Sequence, residues 1–209
     1  METAEPIAQS FVTTIAKSDL TKVSLDMIEV AVDSILENGV LKDIPVIGSI
    51  VGLYKGFIGI REVIFIKKVA TFLSALSDIP AQEREDMFVK LEKDGKKRQD
   101  VGEAVLLILD QVDDYQKARL LGVLLKSLSK SLLDYVTFKR FSSIINSGFI
   151  EDIKSLPMFR NEHDSPAALY LQSQGLVYTN NMWFGEGIPQ LNYTITPMGA
   201  LLCDVLEIN

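Results

Sequence analysis

The sequence predicts a mainly α-helical protein that closes with a small α+β module, and three observations carry that expectation. Apolar residues recur at a helical period, as in Leu25, Ile28, Val32, Ile35 and Leu36. The most apolar stretch, 44–60, reads IPVIGSIVGLYKGFIGI and carries a row of glycines at helical spacing. After Pro157 the texture changes to short runs punctuated by Gly, Pro and Asn, the pattern of a small sheet with a turn.

Composition sets the outer limits. At 209 residues, 47% hydrophobic and 23% charged, the chain can bury a full core and falls between one and two domains. A net charge of −7 and a pI near 4.8 argue against a general nucleic-acid or anionic-membrane binder. Cys203 is the single cysteine, which excludes an intramolecular disulfide and a multi-cysteine zinc site. The start, Met1-Glu2-Thr3-Ala4-Glu5-Pro6, has no basic region followed by an apolar core, so a cytoplasmic protein is expected.

The first amphipathic helix is framed by Ser24 as N-cap and Gly39 as stop. Asp43 and Pro45 open the glycine segment, which is expected to run on through Val63, Phe65, Val69 and Phe72 until Pro80. A more polar helix reaches Gly95, followed by the basic triplet Lys96-Lys97-Arg98. Helices over about 101–112 and 115–128 flank Asp113-Asp114, and a shorter pair, about 138–146 and 149–156, is parted by Gly148. The predicted division is a helical region over 1–156 and a module over 157–209. In the latter, Ser165-Pro166 opens a helix that Gly175 stops. Strands at 176–179 and 191–195 flank a turn or wing, and Thr196-Pro197 opens a last helix.

Gly48, Gly52, Gly56 and Gly59 would share an arc of roughly 80° if the segment were one helix. Such a face admits a neighbouring backbone closely, so these four glycines, with Lys55 at their border, are the candidate helix-packing or assembly surface. The alternative is a helix over 44–66 that inserts conditionally into a membrane and forms pores. Its aliphatic and Phe residues contribute roughly −3 to −5 kcal/mol on the insertion scale, against which Lys55 alone costs about 2.5–3.5 kcal/mol. Arg61 and Glu62 worsen a longer span.

Gln174-Gly175-Leu176-Val177-Tyr178 and the later Tyr193-Thr194-Ile195-Thr196-Pro197-Met198-Gly199 carry a family pattern. It resembles the GL(I/V)…Y.(L/I)T..G signature of winged-helix regulators, over about 165–207. The resemblance implies a helix, strand, wing, strand, helix module, used by such proteins for DNA or for protein partners. Charge favours the protein partner. Residues 149–209 hold two basic residues, Lys154 and Arg160, against seven acidic ones, whereas phosphate binding needs several Lys/Arg contacts. The helix over 167–174 offers Gln172 and Gln174 but no cation for a base edge. Tyr178, Trp183, Phe184 and Tyr193 are the candidate partner contacts. Cross-strand pairing is the alternative role for Tyr178 and Tyr193.

His163 lies in a polar loop without a second histidine or a nucleophile, and Cys203 follows Leu201-Leu202 as a small core residue. Asp113-Asp114 reads as helix capping in preference to a metal site, and no catalytic residue, cofactor or metal is expected. A second resemblance, over about 115–141, is to TerB-like bundles of bacterial stress operons and to helical abortive-infection proteins of phage defence. There Asp134 and Val136 match an acidic turn, but Tyr135 replaces its glycine and Lys139-Arg140 stand where an acid belongs. The reading that emerges is a non-enzymatic interaction or assembly subunit with a protein partner or its own copies, in a bacterial stress or phage-defence setting. A membrane-inserting effector and a winged-helix DNA-binding regulator are the alternatives.

Overall fold

The computed structural model describes residues 4–23, 43–53, 59–180 and 192–208. The helix expected around Leu25 and Leu36 falls outside them, as do Lys55, Gly56, Trp183 and Phe184. The described residues are mainly α, with ten α-helices, one 3₁₀ helix and a two-stranded antiparallel sheet. The chain divides into two compact units, Met1–Ser142 and Ser143–Asn209.

The first unit holds α1 (Ala4–Lys17), α2 (Pro45–Leu53), α3 (Ile60–Ser74), α4 (Ala81–Lys93), α5 (Arg98–Gln111) and α6 (Tyr115–Ser129). The helix α7 (Tyr135–Ser147) runs across the division. The most extensive helix pairing is α3 on α6, while α1 packs on α2, α4 and α5. On α6 the buried Ala118, Leu121, Leu125 and Leu128 repeat at three and four residues, a helical face turned into the core. Asp114 starts that helix by accepting from the Gln116 amide at 2.6 Å. Gly122 brings α6 against α3, since a Cβ there would stand 2.5 Å from the Phe72 carbonyl oxygen. Phe72 also meets Phe11 of α1, with ring centroids 5.6 Å apart.

The glycine segment departs from expectation. It is not one unbroken helix, because α3 begins at Ile60 after Gly59, which is extended at φ −79° and ψ 172°. Glycine in a helix interior costs about 1 kcal/mol relative to alanine, so a run holding four of them is where a helix breaks most readily. Gly48 and Gly52 therefore share α2, while Gly59 stands outside a helix as an N-cap. Val46, Ile47 and Ile50 form the buried face of α2, and a Cβ at Gly52 would meet nothing within 4 Å. The first free amide of α2 is served from a distance, by the buried Thr14 hydroxyl on the Val46 N–H at 3.1 Å.

The second unit contains α8 (Ile150–Ser155), a 3₁₀ helix (Leu156–Arg160), α9 (Ala167–Ser173), β1 (Val177–Asn180), β2 (Asn192–Ile195) and α10 (Pro197–Leu206). The division precedes α8 rather than following residue 156, since the 3₁₀ helix packs on β2 and α10 and buries Leu156 and Phe159 completely. Gly175, at φ +73°, ends α9 as foreseen, with the Leu176 amide donating to the Leu171 carbonyl. Thr196 caps α10 by accepting from the Gly199 amide at 3.0 Å.

The strands pair with Val177 opposite Ile195, Tyr178 opposite Thr194, and Thr179 opposite Tyr193. Directly opposed residues share a face, so Tyr178 and Tyr193 lie on opposite faces and form no pair. Tyr193 is 3% exposed and belongs to the core of this unit, whereas Tyr178 is 48% exposed. Tyr193 thus leaves the set of accessible partner contacts, because the register that buries Val177 buries it too. His163 adds one rung on the other edge of β2, exchanging two backbone hydrogen bonds with Tyr193 at 3.1 and 3.0 Å.

Candidate functional site

The described residues of the first unit build an open groove of about 610 Å³. One wall is α3, through Arg61, Ile64, Phe65 and Lys68; the other is α5, through Glu103, Leu106, Leu107 and Asp110. Both sets follow i, i+3, i+4, i+7, the spacing that aligns side chains along one helix face. Ile7 and Ala8 of α1 and Ile50 of α2 line the groove as well. Each wall helix has its own buried stripe elsewhere, Ile66 and Val69 on α3 and Val105 and Leu109 on α5. The groove residues thus form a second, partly open face that mixes apolar and charged side chains. Ile64 is 39% exposed and Leu107 56%.

Lys68 is buried and donates to the Asp110 main-chain carbonyl at 2.9 Å, placing a cation at the C-terminal end of α5 where the helix dipole favours it. Nearby, Lys117 is buried and pairs with Asp113 at 2.7 Å. That hydrogen bond holds the Asp113 carboxyl below the ordinary carboxylate range. Lys67 lies over the Tyr115 ring, 4.7 Å from its centroid. These contacts tie α3 to the corner between α5 and α6 and fix the spacing of one end of the groove.

Of the residues singled out in sequence, a Cβ at Gly52 would meet nothing within 4 Å and one at Gly59 would meet only the Glu62 side chain. Close approach belongs to Gly102 and Gly122 in this unit, where a Cβ would meet Val12 and Phe72 at 2.5 Å. Asp114 is the expected helix cap, whereas Asp113 is taken up by the ion pair with Lys117. Among the described residues no group of three or more His, Cys, Asp or Glu could hold a metal ion. No helix among them is long and apolar enough to cross a membrane.

In the second unit His163 is half-buried rather than solvated, its ring edge-on to Phe159 at 5.4 Å. Burial pushes the Cys203 thiol up to about 11. Arg84, 3% exposed in the first unit, donates to the Ser18 carbonyl at 2.6 Å, while its Nε and Nη1 atoms have no hydrogen-bond partner. That arginine closes the C-terminal end of α1 at the cost of desolvation, which lowers its pKa.

The groove was missed in sequence because an apolar residue at helical spacing looks the same whether it faces a core or an open cleft. A signal did exist. Val105, Leu106, Leu107, Ile108 and Leu109 are consecutive and apolar, more than one buried stripe of a helix needs. No protein-family model matches this chain, and neither a curated protein nor a solved structure shows significant similarity to it.

Proposed function

We propose that this chain is a non-enzymatic interaction subunit that holds a protein partner through helix packing, in a cytoplasmic, bacterial stress or phage-defence setting. The observation that carries the reading is the groove between α3 and α5, whose apolar wall residues Ile64 and Leu107 stay open to solvent. Exposed apolar side chains set in a concavity among charged neighbours suit a contact surface. The sequence also lacks a recognisable nucleophile–base constellation.

The second unit supports the same role as a winged-helix-like contact module. Its order of helix, strand, strand and helix, with the His163 rung beside β2, agrees with that resemblance. The helix α9 presents Leu169, 69% exposed, and no Lys or Arg, which suits a protein surface better than a phosphate backbone.

The test is isolation at native expression level, with membrane and non-membrane fractions separated and bound proteins identified by mass spectrometry. A stoichiometric protein partner in the non-membrane fraction supports the reading. Recovery with membranes supports the inserting effector instead, and salt-sensitive binding to duplex DNA supports the regulator.

A further inference from the structure

We draw no further inference here: the strongest candidate, the open groove between α3 and α5, belongs to the site already described, and nothing in the structure shows what covers it, since Lys68 is held on the Asp110 carbonyl and Glu62 offsets Arg61.

Discussion

The hydroxyl of Thr14, completely buried in α1, accepts from the Val46 amide at 3.1 Å and donates to the Ser10 carbonyl at 2.9 Å. One side chain thereby satisfies an end group of α2 that its own helix cannot. The adjoining Ser49–Ser10 hydroxyl contact at 2.8 Å repeats the link one turn along. Together they seat α2 on α1, and Ile50 of α2 lines the groove.

Thr14→Val keeps the shape and leaves a buried N–H unpaired, so it should cost about 1–3 kcal/mol in urea unfolding. Thr14→Ser keeps the acceptor and should cost less. Equal losses in the two variants would show that the methyl group matters as much as the hydroxyl.

Two glycines should respond in opposite ways to alanine. Gly122→Ala forces a methyl group against the Phe72 carbonyl and the Ala75 side chain and should destabilise by about 1–3 kcal/mol, read as a fall in Tm. Gly52→Ala places a methyl in open space on an exposed turn of α2 and should stabilise by up to about 1 kcal/mol. Scanning calorimetry of both variants gives the comparison directly.

Tyr193 and Tyr178 separate core from surface on one hairpin. Tyr193→Ala empties a buried site and should cost about 3–5 kcal/mol, with early proteolysis of the second unit. Tyr178→Ala, half-exposed on the other face, should change stability by less than about 1 kcal/mol.

Cys203 should be silent to thiol reagents. It is completely buried, and its pKa is pushed up to about 11, mainly by desolvation. At pH 8 the folded chain should react with a disulfide reagent only at the rate of unfolding, and fully in urea. Fast labelling without denaturant would show that α10 opens locally.

Acid should weaken the fold through named carboxylates. Hydrogen bonds from Lys126 to Asp78 and from Lys117 to Asp113 hold both carboxyls below their ordinary value of 3.8. Folding lowers these pKa values, so the unfolded chain takes up protons first as pH falls. Their contribution is complete above the ordinary value and is lost as pH drops through the folded one. The urea midpoint should therefore fall between about pH 5 and pH 3, and less steeply in Lys126→Met.

Local signals in the sequence were enough for much of the helix pattern. Asp114, Gly175 and Thr196 act within a turn or two of their own position, so the ends of α6, α9 and α10 were legible from residue type alone. The same holds for the strand pair, which falls close to the two short runs that the sequence marks as strands. The interruption of the glycine segment at Gly59 was not legible for a related reason. Spacing says that Gly48, Gly52, Gly56 and Gly59 could share a face, but not whether the helix survives all four.

What the sequence by itself determined is the mainly helical class, the late sheet, the acidic balance, and the capping chemistry, each set by short-range sterics and composition. Tertiary structure decided which apolar faces are covered. It put Gly122 rather than Gly52 at a close crossing and buried Tyr193 while leaving Tyr178 open. It also left Ile64 and Leu107 exposed in the lining of one open groove. Burial is a property of pairs of elements distant in sequence, and periodicity within one helix carries no record of its neighbour.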